Sequence, residues 1–251
     1  MSSTTAFLAS FVSILIGTAI GMILKRSLLA DRLDGGSKEA IRLGAGFLAT
    51  LAALVIGLMI ASAKNTFDAQ NSNIRQLGTN AVLVDQLLAK YGSEAKAART
   101  LLREIIPSAA LRIWQQSIGE DGGSTLTIGR NAERFYNAVE GLKPVNAEQT
   151  SLKARIIEIT TDMGRTRLLV FTQSDNAIPV PFFIVLTFWL VVIFASFSLF
   201  AEPNKIVVAA ILVFALSVSS ALFLIIDLSQ PFSGLMQISN HHLQAVLPKI
   251  E

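Results

Sequence analysis

The stretch VPFFIVLTFWLVVIFASFSLFA, Val180–Ala201, contains no Asp, Glu, Lys, Arg or His. As an α-helix rising 1.5 Å per residue it covers about 30 Å, the thickness of the hydrocarbon in a bilayer. One such run fits a buried core helix as well as a membrane span. Its surroundings remove that choice. After the turn Glu202-Pro203-Asn204-Lys205 comes another charge-free run, Ile206–Ile226, and Ala6–Leu24 and Leu43–Ala63 repeat the pattern near the N-terminus. Four charge-free runs of this length in 251 residues describe a multi-pass membrane protein. The expected fold is all-α. Two transmembrane hairpins, 1–63 and 179–227, are joined by an elongated extramembrane helical bundle, 64–178, and followed by an amphipathic tail, 228–251.

The chain is 52% apolar and 16% charged, against roughly 25% charged for soluble domains. Much of the charge falls in 64–178, which is long enough to bury a modest core of its own. A net charge of +3 without a Lys/Arg block gives a nucleic-acid partner no footprint. The absence of cysteine excludes disulfides, thiolate metal sites and Cys nucleophiles. Met1-Ser-Ser-Thr-Thr5 lacks the basic segment of a signal peptide, so the first run reads as a retained span.

Orientation follows from basic residues flanking the spans. Lys25, Arg26, Arg32, Lys38 and Arg42 occupy the first connection and Lys205 the other short one; only Lys64, Arg75, Arg165 and Arg167 flank the spans on the opposite side. This bias expects loop 25–42 in the cytoplasm, with 64–178 and both termini outside, in a plasma or bacterial inner membrane.

Small residues form two ridges: Ala9, Ser13, Gly17 and Gly21 in the first span, and Ala45, Ala49, Ala53, Gly57 and Ala61 in the second. Residues four apart line a ridge, and small ones let backbones approach in lipid, where no hydrophobic force gathers helices. The short connection between these spans predicts that they pack as a hairpin through the ridges. In the later spans Thr187, Ser196, Ser217 and Ser220 are candidate pore-lining residues. The bland alternative is that each hydroxyl bonds its own helix four residues back. Ala215–Ser219 and Ser217–Ala221 also form small-xxx-small pairs.

The polar segment reads as helices. Ile74, Leu77, Ala81, Val84 and Leu88 keep the three-four rhythm of a packed helix that continues the second span to Tyr91-Gly92. Ser93 with Glu94 is a start signal for the next, which carries Leu102, Ile105, Ala109 and Ile113 and a kink at Pro107. Gly119–Ser124 reads as a loop. Asn146 with Gln149 forms a capping box ahead of Leu152, Ile156, Ile159, Met163, Thr166 and Val170. The tail after Asp227 suits either a helix in the membrane interface or a segment docked under the bundle.

Catalytic chemistry is sparse. His241 and His242 are adjacent, about 100° apart on a helix, and make poor metal ligands. Glu158 and Asp162 lie off the apolar stripe and read as a solvated face. No HExxH, ExxH or phosphate-cradling glycine loop is encoded, so no enzyme, metal or cofactor is expected. The spans hold no titratable group at depth, which disfavours coupled carriers and leaves a passive pore as the easier mechanism. Four spans enclose little space, so such a pore calls for a symmetric homo-oligomer in the lipid bilayer. A non-conducting sensor or scaffold, whose helical domain binds a partner, is the alternative.

Phe188–Asn204, Phe223–Ser239 and the segment Asp85-Gln-Leu-Leu-Ala-Lys-Tyr-Gly-Ser-Glu-Ala95 resemble the bestrophin-like domain-of-unknown-function family of four-span membrane proteins. The cluster Asp227, Pro231, Phe232, Ser233 and Gly234 is its most specific part. The resemblance implies an oligomer related to bestrophin anion channels, hence small anions as the permeant species. It supplies no pore residue. It also implies a cytosolic helical domain, opposite to the charge bias.

Overall fold

A computed structural model of the chain describes residues 2–26, 34–115, 123–174, 180–202 and 204–238. Among them every regular element is helical: α1 (Ser3–Arg26), α2 (Gly35–Tyr91), a 3₁₀ turn (Ser93–Ala95), α3 (Lys96–Gln115), α4 (Gly123–Glu140), α5 (Ala147–Ser174), α6 (Val180–Phe200) and α7 (Lys205–Leu228). The chain forms two compact units, 1–66 with 177–229, and 67–176 with 230–251. Helix α2 supplies residues to both.

In the first unit α1 packs along α6 and α7. Gly17 lies against Val191 and Gly21 against Ala195, one step of four on each helix, so α1 and α6 run parallel. At their shared end Lys25 Nζ donates to the Ala201 carbonyl at 2.6 Å. The core gathers Ile14, Ala52, Leu186, Leu190, Ile193, Phe194, Ala215, Leu222 and Ile225. The outside is equally apolar: Leu43, Phe47, Leu54, Leu58, Phe182, Phe188, Ile206 and Phe214 are all exposed. Four helices here have the length and composition to cross a membrane, and a surface of this kind is stable only against lipid or another protein.

The second unit has its own core, where Ala81, Val84, Leu88 and Tyr91 of α2 meet Ala98, Leu102 and Ile106 of α3, Phe135 and Val139 of α4, and Ile156 and Ile159 of α5. The stripes expected from sequence therefore face inward on α2 and α5. Helix α4 was not anticipated: Gly123 and Ser124 are already helical, although 119–122 lie outside the described residues. Its signal is Phe135 and Val139, four apart and both buried, with Leu142 buried just past its end.

Local polar geometry shapes this unit. Helix α2 stops at Gly92, whose φ of 123° and ψ of −168° lie in a region closed to residues with a β-carbon. The next turn is 3₁₀, with Gly92 at its cap position and no side-chain cap bond, so the expected Ser93 cap is not formed. Helix α3 continues through Pro107. At the start of α5 the Asn146 carboxamide accepts from the Gln149 amide at 2.7 Å, while Gln149 Oε1 accepts from the Val145 amide at 2.9 Å. This is the expected capping box with its return bond shifted one residue. Gln149 Nε2 also donates to the Tyr91 carbonyl at 3.0 Å, joining the end of α2 to the beginning of α5. Lys153 Nζ donates to the Glu140 and Leu142 carbonyls at 2.6 and 2.8 Å, closing the end of α4.

Residues 230–238 form turns rather than an interfacial helix, with Ile238 N–H donating to the Pro231 carbonyl at 2.9 Å. Phe232 and Ile238 are buried against Ile74 and Val170, so this part of the tail docks into the helical unit. His241 and His242 lie outside the described residues.

Candidate functional site

The membrane unit is where transport chemistry would act, and its polar atoms are few. Most hydroxyls there are bound to their own helix. Ser10 donates to Phe7 O, Thr18 to Ile14 O, Ser196 to Val192 O and Ser198 to Phe194 O, all between 2.8 and 3.0 Å. Ser217 and Ser220 do the same towards Val213 O and Leu216 O, each at 2.8 Å. A hydroxyl used this way offers lone pairs to its surroundings but no proton. Ser217 is exposed on the single chain and Ser220 half-buried.

Thr187 and Ser219 differ. Their hydroxyl oxygens are buried and have no hydrogen-bond partner among the described residues. Ser219 is fully buried beside Ala215, so of the two small-residue pairs in α7 the Ala215–Ser219 pair faces the core. A donor without a partner in a dry interior is costly, and it is the group an anion or water would bind. Thr187 was a sequence candidate. Ser219 was not, because nothing local separates it from Ser217 or Ser220.

The ridges divide sharply. In α1, Gly17 and Gly21 are buried, Ser13 is half-buried and Ala9 is exposed. A β-carbon on Gly17 would come within 2.8 Å of the Val191 carbonyl oxygen, and one on Gly21 would collide with the Ala195 carbonyl. The first ridge thus meets α6, not the second span as expected. On α2, Ala45 is buried and Ala49 half-buried, but Ala53, Gly57 and Ala61 are exposed, with nothing within 4 Å of a β-carbon on Gly57. The reason is geometric: each step of four residues turns about 40° around a helix, so a row of five cannot stay on one face. The inward face of α2 instead carries Leu48, Ala52, Val55, Ile56 and Met59.

The cluster in the tail is largely buried. Asp227 is fully buried near the end of α7, Pro231 and Phe232 are buried, and Gly234 is half-buried. Asp85, in the other quoted segment, accepts from Arg99 Nε and Nη2, both at 2.7 Å, with Arg103 at 3.8 Å. Donating to the Asp85 carboxylate raises the Arg99 pKa above its ordinary value. Glu158 pairs with Arg155 at 2.7 Å, and Asp162 accepts from Gln76 and Asn80 at 3.1 and 3.0 Å.

The Bestrophin-like domain matches residues 12–243, almost the whole chain. The chain belongs to the bestrophin-like family. As an integral membrane member of it, the chain matches in fold a crystal structure of a point mutant of a bacterial bestrophin homolog from Klebsiella pneumoniae. The TM-score is 0.71 at 10% identity, covering 100% of this chain and 99% of that one. At that identity the likeness concerns the fold alone. A comparison with curated proteins gives no match.

Proposed function

We propose that this bestrophin-like protein is a homo-oligomeric channel that passes small anions passively. The observation that carries the reading is the family match over residues 12–243, together with a bestrophin fold over the full chain. Two physical points support it. The charge-free runs Ala6–Leu24, Leu43–Ala63, Val180–Ala201 and Ile206–Ile226 offer no group at depth for coupling to protons or ions. The exposed Ala53–Gly57–Ala61 row on α2 is shaped for close approach by a helix of a second copy, as a multi-subunit pore requires. In this reading the protein catalyses no reaction and needs no cofactor. The spans form two hairpins bounding the helical domain 64–178, with loop 25–42 cytoplasmic. Thr187, Ser196, Ser217 and Ser220 are the residues proposed to face the path.

The test is chloride flux from liposomes holding the purified protein, measured with and without a proton gradient. Flux is expected at a rate independent of that gradient. Ser217→Val and Ser220→Val are expected to alter anion selectivity while the oligomer stays intact, since each removes lone pairs that can share in an ion's solvation. No flux above empty liposomes across voltage, pH and calcium would sink the channel reading and leave a membrane scaffold.

A further inference from the structure

The short-loop end of the membrane unit collects cations whose roles the transport reading does not use. Lys25 closes α1 onto the end of α6 through the Ala201 carbonyl, 2.6 Å away. The Arg42 guanidinium lies 5.2 Å from the centre of the neighbouring Phe200 ring. Arg26 follows Lys25 directly, and Lys205 opens α7 just beyond the Asn204 cap. The turn at Phe200–Ala201 is thus flanked by four cations. Among the described residues none of the four has a carboxylate within 4.0 Å. Among the described residues three acids share this end: Asp34, held by the Ser37 amide at 3.1 Å, and the exposed Glu39 and Glu202.

Directly beside these cations the surface turns apolar. Ile23 and Leu24 precede Lys25, Leu43 follows Arg42, and Ile206 follows Lys205, and all four are exposed. A layer of unpaired positive charge bordering exposed aliphatic surface matches an anionic phospholipid, with its phosphate at the cations and its chains along the helices. Free phosphate would use only the upper half of this arrangement. We infer that the membrane unit binds an anionic phospholipid headgroup at Lys25, Arg26, Arg42 and Lys205, between the ends of α1 and α6 and the beginnings of α2 and α7. The inference does not depend on whether the protein conducts.

The test uses the full chain in nonionic detergent, mixed with phosphatidylglycerol or phosphatidylcholine and read by native mass spectrometry for retained lipid. The variant is Arg26→Gln with Arg42→Gln and Lys205→Gln, leaving the Lys25 bond in place. A juxtamembrane charge is worth about fivefold in anionic-lipid binding, so the variant should lose about a hundredfold in phosphatidylglycerol retention with phosphatidylcholine unchanged. A matched variant of the helical unit, Arg75→Gln with Lys96→Gln and Lys143→Gln, should retain the wild-type preference. Equal loss in both variants, or no loss in the first, overturns the site. Displacement of phosphatidylglycerol by inorganic phosphate would assign it to a free anion instead. If the triple variant unfolds, Arg26→Gln with Lys205→Gln carries the same comparison with an expected loss of about 25-fold. Neither side chain has a hydrogen bond or ion pair among the described residues, so this variant gives up charge alone.

Discussion

Gly21 has no room for a β-carbon, because the Ala195 carbonyl occupies the place one would take. Gly17 is nearly as tight against Val191, and both contacts are with backbone, which cannot rotate away. Gly17→Leu or Gly21→Ala should therefore push α1 off α6 and cost about 3 kcal/mol, since overpacked sites relax only by moving whole elements. Gly57→Leu should leave the folding of the single chain unchanged, because open space surrounds that position. Thermal unfolding in detergent separates these variants, and equal melting of Gly21→Ala and wild type would remove α1–α6 packing from the account. Asp85 is the other residue on which much rests. Its carboxylate is nearly inaccessible and is forked by Arg99, which is itself partly exposed. Asp85→Ala should cost about 3 kcal/mol, the low end for a broken buried pair, because the orphaned guanidinium still reaches water. A chemical-denaturation midpoint unchanged by that substitution would show the pair to be ornamental.

Among the elements, α5 begins with a residue that makes three capping bonds, two through its side chain and one through its backbone amide. Gln149 receives the Val145 amide, presents its own amide to Asn146, and donates to the last carbonyl of α2. A helix start without such partners leaves orphan N–H groups. Gln149→Ala should therefore cost about 1–2 kcal/mol. Amide hydrogen exchange should also quicken at Val145, and protection there equal to wild type would mean that water serves as well. At the same scale α2 shows why a row of small residues is an incomplete guide. Its apolar composition suits lipid at every turn, but its small row winds from the core side at Ala45 to the exposed side at Gly57 and Ala61. One helix thereby presents a packed face inside the unit and a close-approach face outside it.

At the scale of the whole molecule, two indications of how the chain crosses the bilayer oppose each other. Short-loop charge favours loop 25–42 in the cytoplasm, while the bestrophin resemblance implies the reverse by placing the helical domain there. A chain without cysteine permits a direct test. Glu39→Cys and Lys96→Cys, both at exposed positions, report on the two sides. In intact cells an impermeant maleimide should label Lys96→Cys and spare Glu39→Cys. The opposite pattern would turn the protein over and leave its fold and proposed conduction untouched, because neither depends on the direction of crossing.

The amino-acid sequence by itself determined the four apolar helices, the absence of titratable groups in the four runs, and the inward stripe of Ile74, Ala81, Val84 and Leu88. Each of these follows from how one residue after another prefers water or lipid, a property read locally and in order. Tertiary structure alone decided that the Gly17–Gly21 pair meets α6, that Asp85 is claimed by Arg99, that Phe232 docks beside Ile74 and Val170, and that Ser219 is enclosed while Ser217 is not. In lipid every apolar face is equally content with the solvent, so hydropathy cannot choose between partners. The choice falls to the fit of two surfaces, and that fit is a property of the pair which neither helix carries alone.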